Sequence, residues 1–428
     1  MKAVVVGLGR IGLPLALVAA DAGINVTGID IKKDLIETLL NKKIPFYEPY
    51  LEELIKKHCK KNFYPKLQND AITDIREAEY IIITIGTEFV RYPQKPSIER
   101  LFLIIDDLLQ IGIKNKTIVI RVTLPIGYTD KIRKKIETTG LKESTDFYLA
   151  FVPERIMEGK AIEEEKNLPK IIGCYSDKSF EKINKFFKKI GGGIIRVKDP
   201  KTAEFIKLID NAWRNTRFAF ANELAFLAEE NDIDVWEAIK SANEGYERNQ
   251  IPIPGPVSGY CLGKDPYILE GAFEKVAEKR GFDSVWYYGR LANDWLIHKI
   301  VDKIEGKKIL VAGLSFKADI DDFRFSHGIE IVRKLVKYGY KVFVHDPFMD
   351  KNFYTSLPKD IEEKVKKVSS LERGVRSVDS IIFAVAHKEY KKLRKKDFPP
   401  SITVIDLWNI FRSGNIKNYL VSGVKSNR

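Results

Sequence analysis

Short runs of β-branched and aliphatic residues recur through the first 150 residues: KAVVVG, INVTGID, YIIITIG, TIVIRVT and FYLAFVPE. Between them lie longer stretches whose apolar positions return every three to four residues. Runs of the first kind read as strands buried on both faces, and stretches of the second kind as helices packed over them. Their alternation predicts a parallel, doubly wound sheet. From about Ala203 to Ile300 the strands vanish, and a long helix is expected over 202–230, with Pro200 just ahead of it. The strand–helix rhythm then resumes with KKILVAGL, a helix from about His327 to Tyr338, YKVFVHD, SIIFAVA and ITVIDLW. The pattern predicts an α/β chain in which two Rossmann-like, doubly wound parallel-sheet domains are joined by a central all-helical domain with a long helix.

Composition narrows the classes. A chain of 428 residues with 44% hydrophobic residues should divide into two or three domains. No apolar run approaches the roughly 20 residues that a membrane helix needs, so a transmembrane reading fails and no membrane partner is expected. The opening residues imitate a signal peptide, but Arg10 and three glycines interrupt the apolar stretch, which reads as mature structure in a reducing cytoplasm. Cys59, Cys174 and Cys261 are too few for a disulfide scaffold and too scattered for a zinc ribbon, so no metal is expected. A net charge of +13 suits either nucleic acid or phosphate-bearing small molecules. Because no aromatic ladder interleaves basic runs such as KKLRKK at 391–396, these read as solvated faces rather than nucleic-acid patches.

Motifs carry the chemistry. Gly7-x-Gly9-x-x-Gly12 follows a strand and opens a helix, as a dinucleotide pyrophosphate requires. The next strand ends in Asp30, where a carboxylate can bond ribose hydroxyls and repel a 2′-phosphate; NAD is therefore expected over NADP, with Lys32 and Lys33 pulling the other way. The later turn GLSFKADIDD shows no full counterpart of the three glycines. Lys207, Asn211 and Arg214 share one face of the long helix by spacing, either as functional groups or as a solvated polar stripe. Cys261 falls in a Gly/Pro-rich segment, IPIPGPVSGYCLGKDPY, read as a loop, with Lys264 and Asp265 close behind. An ammonium there would favour the nucleophilic thiolate, whereas Cys59 and Cys174 read as small buried hydrophobes. Thr123–Gly127 and Pro153–Gly159 each follow a strand, where ligands bind open α/β sheets.

Taken in order, GLGRIGLPLA, YEPYLEEL, GTEFVRYPQKPS, VTLPIGYT, PERIMEG, FIKLIDNAWRN, GYCLGKD, GLSFKADIDDFRFS and VFVHDP resemble the nucleotide-sugar 6-dehydrogenases, the family of UDP-glucose and GDP-mannose dehydrogenases. The resemblance implies an NAD-binding Rossmann domain over 1–198, a central helical domain over 199–303 that forms a homodimer, and a Rossmann-like UDP-sugar domain over 304–428. PERI, DNAWRNTRFAFANEL and PGPVSGYCLGKDPYIL look closest to the branch acting on UDP-N-acetylmannosamine or UDP-N-acetylglucosamine. Here the cysteine segment is one residue shorter, Tyr260 precedes the cysteine, Gly263-Lys264 is closer to the UDP-glucose branch, and Trp408 replaces an Arg.

The same resemblance implies four-electron oxidation of the sugar C6 alcohol to a carboxylate. Cys261 would form a thiohemiacetal and then a thioester, assisted by Lys207 and Asn211, with Asp265 and Glu158 as candidate bases. Substrate contacts would come from Glu154, Arg155, Ile156, Lys207, Asn211, Arg214, Arg248, Gly259, Phe316 and Lys317. Cofactor contacts would come from Gly7, Gly9, Ile11, Gly12, Asp30, Thr87, Thr123, Lys264 and Arg324. Local pairing with Asp319, Asp321 and Asp322 is the other reading of Lys317 and Arg324. UDP-glucose is the alternative substrate. A dehydrogenase stopping after one hydride transfer would leave Cys261 idle, and a rival from another class is a non-catalytic nucleotide-binding protein on the same fold.

Overall fold

The computed structural model describes residues 1–87, 93–94, 96–301 and 303–411; part of the GTEFVRYPQKPS segment lies outside them. The described chain forms two compact units, Met1–Asp210 and Asn211–Arg428.

In the first unit, eight strands form one sheet: β1 (Lys2–Val6), β2 (Asn25–Asp30), β3 (Phe63–Leu67), β4 (Tyr80–Ile83), β5 (Thr117–Ile120), β6 (Tyr148–Phe151), β7 (Lys170–Cys174) and β8 (Ile194–Val197). Their order is β3-β2-β1-β4-β5-β6-β7-β8. The chain reverses its direction of growth between β1 and β4, and such a switch point leaves a crevice at the carboxyl ends of the strands. Val4, Val6, Ile81, Ile83, Ile118, Ile120, Leu149 and Phe151 are buried in one core cluster under the helices. The five apolar runs of the sequence are β1, β2, β4, β5 and β6.

The sequence pattern overlooks β3, β7 and β8. FYPKL is interrupted by Pro and Lys and sits at one edge, and IIRV at the other edge is partly exposed, so neither carries a continuous buried run. The sheet is parallel as expected except at one place, where β7 runs antiparallel to β6, pairing Ala150 with Cys174 and Phe151 with Gly173. An antiparallel neighbour needs no crossover to the far end of the sheet. The PERIMEG segment and the short helix Ala161–Asn167 therefore stay at the carboxyl ends of the strands.

The second unit contains the helices Val235–Asn243, Tyr260–Arg280 and Val285–Val301, together with the part of the long helix Pro200–Glu230 beyond Asp210. It also holds a five-stranded, wholly parallel sheet: β9 (Lys308–Ala312), β10 (Lys341–His345), β11 (Val365–Lys367), β12 (Ser380–Phe383) and β13 (Thr403–Asp406), ordered β11-β10-β9-β12-β13. One core cluster joins Ala225, Trp236, Leu296 and Ile300 of the helices to Ile309, Val311, Ile382 and Ile405 of the sheet.

The two sheets are more alike at their first turns than the sequence shows. After β1, Gly7 takes φ +95°, and a Cβ at Gly12 would overlap its carbonyl oxygen; after β9, Gly313 takes φ +96°, and a Cβ at Gly328 would overlap its carbonyl oxygen. The carboxylate of Asp30 accepts the Leu8 N–H at 2.9 Å, and that of Asp346 accepts the Leu314 N–H at 2.7 Å. The insert 314–327 hides the second glycine pair from any fixed-spacing motif. Gly9 alone lacks a counterpart.

Candidate active site

At the switch point, Gly7, Gly9, Ile11, Gly12 and Asp30 come together at the ends of β1 and β2. Backbone that turns at positive φ and a helix that starts flush against it both demand glycine. Gly9 differs: a Cβ there would meet no protein atom within 4 Å, so the space beside it is open. That open approach, ahead of the first-turn N–H groups of Gly12–Asp21, fits a pyrophosphate. The Asp30 oxygens accept Leu8 N–H and Lys32 N–H at 2.9 and 3.0 Å, and each keeps a lone pair for a ribose hydroxyl. These residues fit NAD. Asp30→Ala is expected to narrow the preference for NAD over NADP by at least about tenfold in kcat/KM, the worth of a charge-assisted hydrogen bond. Equal use of both cofactors by the unaltered protein would show that Asp30 does not discriminate.

Farther along the same edge, Thr87 Oγ1 donates to the Thr123 carbonyl at 2.6 Å, linking the segments that follow β4 and β5. The loop after Thr123 is fixed by Glu204 of the long helix, whose carboxylate accepts the Thr129 N–H at 2.7 Å, the Thr129 hydroxyl at 2.6 Å and the Gly127 N–H at 2.5 Å. Burial raises the Glu204 pKa, and these three donors oppose that rise. Sequence reasoning passed over Glu204, Glu48 and Arg10. Glu48 accepts the Gly159 and Ala161 N–H groups, both at 2.8 Å, and so pins the end of PERIMEG. Arg10 is buried, lies 4.8 Å from the Phe46 ring centroid, and pairs with Glu158 at 3.3 Å. Glu158, a candidate base, thus carries an ion pair to the glycine turn. An Arg inside an apolar helix start and a Glu in YEPY were the available signals, but neither spacing names its partner.

The segment after β6 meets the long helix within this unit. Lys207 is 6% exposed; its Nζ donates to the Glu154 carbonyl at 2.6 Å and contacts Glu154 Oε2 at 3.3 Å. Arg155 pairs with Asp210 at 3.0 Å, and Ile156 beside it is half-buried.

In the second unit, Cys261 does not lie in an irregular loop. The Pro-rich segment ends at Gly259, φ +92°, and a helix starts at Tyr260, placing the thiol in its first turn. The apolar spacing of YILEGAFEKV drives the helix back through Pro266, whose ring only costs one backbone bond near the start. A Cβ at Gly259 would stand 2.5 Å from the Phe316 ring. In the next turn, Asp265 is fully buried and links two partners: Asn211 Nδ2 donates to its Oδ2 at 2.6 Å and Lys264 Nζ to its Oδ1 at 2.6 Å. Asn211 Oδ1 in turn accepts Arg214 Nη2 at 2.7 Å, so Asn211 links the exposed Arg214 to the buried Asp265.

Lys264 is 1% exposed and stands 4.8 Å from the Tyr260 ring centroid. Arg324 forks onto Asp322, with Nε 2.9 and 3.0 Å from its two oxygens, and its guanidinium lies 4.4 Å from the Tyr354 ring. Arg324 thus has a local partner, while Lys317, half-buried, lends its carbonyl to Ser315 Oγ at 2.9 Å. Arg248 is exposed and stacks on Tyr246 at 4.7 Å. Trp408 donates its indole N–H to the Ala384 carbonyl at 2.9 Å and covers Gly255, where a Cβ would meet the ring at 2.8 Å.

This arrangement can do nucleophilic chemistry beside buried, paired ionisable groups, with a dinucleotide turn elsewhere in the chain. The NAD binding domain of the UDP-glucose/GDP-mannose dehydrogenase family matches residues 1–191, that family's central domain residues 201–285, and its UDP binding domain residues 310–413. A UDP-N-acetyl-D-mannosamine dehydrogenase of Pyrococcus horikoshii is 30% identical over 432 residues, covering 96% of both chains. An NDP-N-acetyl-D-galactosaminuronic acid dehydrogenase of Ralstonia solanacearum is 30% identical over 430 residues, covering 95% of this chain and 96% of its own. Among solved structures, a UDP-D-ManNAc dehydrogenase from Pyrococcus horikoshii superposes with a TM-score of 0.84 at 28% identity, over 99% of this chain and 100% of that one. With its glycine turn, its cysteine helix and this likeness along its whole length, the chain belongs to the UDP-glucose/GDP-mannose dehydrogenase family and is an NAD-dependent oxidoreductase of nucleotide sugars.

Proposed function

We propose that the protein oxidises the C6 alcohol of a UDP-N-acetylhexosamine, UDP-N-acetylmannosamine or UDP-N-acetylglucosamine, to the carboxylate in two successive steps. The observation that carries the chemistry is the second-unit cluster, in which Cys261 opens a helix whose next turn holds Asp265 between Lys264 and Asn211. Bound in the Gly7–Gly12 turn, NAD supplies the hydride acceptor for each step.

Lys207 assists removal of the C6 hydroxyl proton, and the buried Glu154 beside it balances its charge. Hydride leaves C6 as that proton is lost, giving the aldehyde; the Cys261 sulfur then adds to its carbon while a proton is delivered to its oxygen, giving a thiohemiacetal. Loss of hydride from that carbon and of the proton from its hydroxyl leaves a thioester, and water cleaves it to the carboxylate, with a proton released, and the free thiol. Asn211, one helical turn from Lys207, offers an amide to the oxyanions. Asp265 fixes that amide and is our candidate base for the water. Per sugar, one water is consumed and two hydrides are removed, so two NADH should form; one NADH per sugar would identify an enzyme that stops at the aldehyde.

The acetamido sugar is favoured by the names of the relatives in the 30% identity range and by Arg155 and Arg214, each ordered by a partner of its own. A site built to bond an acetamido group leaves polar groups unpaired when a plain hydroxyl binds. We expect kcat/KM for a UDP-N-acetylhexosamine to exceed that for UDP-glucose by about tenfold or more. The measurement is NADH formation over UDP-glucose, UDP-N-acetylglucosamine, UDP-N-acetylmannosamine, UDP-galactose and GDP-mannose. A preference for UDP-glucose would move the enzyme to the other branch and leave its reaction class intact.

We assign residues 1–198 to cofactor binding, 199–303 to dimerisation and 304–428 to the UDP-sugar. Exposed Trp213, Phe220 and Leu227 on the long helix and Leu291 and Trp295 on Val285–Val301 favour a homodimer through the central helices. None of the three cysteines is in a disulfide, which suits a cytoplasmic enzyme. Among the described residues no helix is long and apolar enough to cross a membrane.

A further inference from the structure

We propose that Arg290 is a positioning residue that holds the backbone on both sides of Cys261, and that it governs the cysteine-dependent second oxidation more than the first. The inference rests on Cys261 being the nucleophile.

Arg290 lies on the helix Val285–Val301 and is 1% exposed. A buried guanidinium is costly unless its donors are used. Here Nη2 donates to the Val257 carbonyl at 3.1 Å and Nη1 to the Leu262 carbonyl at 3.2 Å, one acceptor before the thiol and one directly after it. The second acceptor has a cause in the sequence. In a helix the Leu262 carbonyl would take the N–H of residue 266, and residue 266 is proline, which has none. Pro266 thus strips the carbonyl next to the nucleophile of its helical partner, and Arg290 replaces it from a neighbouring helix.

The guanidinium is itself fixed. Nη2 also meets Asp294 Oδ1 at 2.9 Å and Nη1 meets Asn215 Oδ1 at 3.0 Å. Asn293 Nδ2 bonds Asn215 Oδ1 at 2.9 Å, Asn222 Nδ2 bonds Asn293 Oδ1 at 2.8 Å, and Asn222 Oδ1 accepts the Gly255 N–H at 2.8 Å. Asn215, Asn222 and Asn293 are all fully buried. The network therefore grips the Pro-rich segment at Gly255 and Val257 and the cysteine turn at Leu262. The two main-chain carbonyls that Arg290 bonds, at Val257 and Leu262, lie on either side of the thiol, and Asn222 holds Gly255 in the same segment, which makes Arg290 a positioning group.

The test compares Arg290→Lys and Arg290→Gln with the unaltered enzyme by thermal melting, by steady-state kinetics and by NADH formed per sugar with the aldehyde trapped as its semicarbazone. Misplacing a nucleophile by about 1 Å costs on the order of 100-fold. We expect the second hydride transfer to slow about 100-fold, the first to change less than about threefold, KM to stay within about threefold and trapped-assay NADH to fall from two per sugar towards one. A folded variant that slows both transfers equally, or neither, overturns the proposal. Asp294→Asn, at a position 31% exposed, loosens the guanidinium without removing it and should move the same ratio by about three- to tenfold. If Arg290 variants do not fold and Asp294→Asn leaves the ratio unchanged or also unfolds the chain, the network serves stability alone and the proposal fails. Cys261→Ala run beside them reports on the underlying reading: uronate from that variant ends the covalent route whatever Arg290 does.

Discussion

Cys261→Ala is expected to abolish uronate formation, by at least about 10⁴-fold, the scale on which removal of a covalent nucleophile acts. NAD affinity should change by less than about twofold, because the thiol serves the covalent steps, and the residues we assign to the cofactor, Gly7, Gly9, Gly12 and Asp30, lie far from it in sequence. A thiol suits both halves of the proposed sequence: sulfur adds readily to an aldehyde, and a thioester is readily hydrolysed. The first turn of a helix also leaves backbone N–H groups without intrahelical partners, and Cys261 sits in such a turn. Chromatographic quantification of the uronate beside NADH absorbance checks the outcome. Uronate released at a near-normal rate by the alanine variant would show that oxidation proceeds through the aldehyde hydrate, with no bond to sulfur.

What the sequence revealed and what it hid follow from range. Short apolar runs are local, so five of the eight strands of the first sheet and four of the five of the second could be read directly. The strands it missed are edge strands or pair out of pattern: FYPKL owes its place to β2, and KIIGC turns antiparallel because its connection stays at one end of the sheet. The glycine turn after β1 was legible because its contacts fall within a few residues, while the matching pair Gly313 and Gly328 was concealed by the insert between them. Lys207, Asn211 and Cys261 were singled out by residue type and by resemblance to the family. Glu204, Glu48, Arg10 and Arg290, which hold the loop after Thr123, the end of PERIMEG, Glu158 and the cysteine segment, were not, since each acts on backbone or charge far away in sequence. The one local misreading, Cys261 in a loop, weighed Gly and Pro above the helical period that follows them.

The second large effect is expected at Asp265. Its side chain is fully buried and neutralises the 1% exposed Lys264, while fixing the amide of Asn211. Removing one partner of a buried ion pair leaves the other charge without compensation, at a cost of about 3–5 kcal/mol, whereas removing both costs little. Asp265→Ala should therefore lower the stability of the second unit by about that amount and reduce kcat as well, because Asn211 loses the acceptor that orients it. The double variant Lys264→Met/Asp265→Leu should recover most of the stability and none of the activity. Denaturant unfolding of the single and double variants measures the coupling, expected to exceed about 2 kcal/mol for groups in direct contact. Additive losses would mean that the ammonium finds other compensation once the carboxylate is gone, and that Asp265 contributes to the fold independently of Lys264. Recovery of stability without recovery of turnover would instead separate the two roles of the carboxylate, since a packed apolar pair can replace its charge but cannot hold the Asn211 amide.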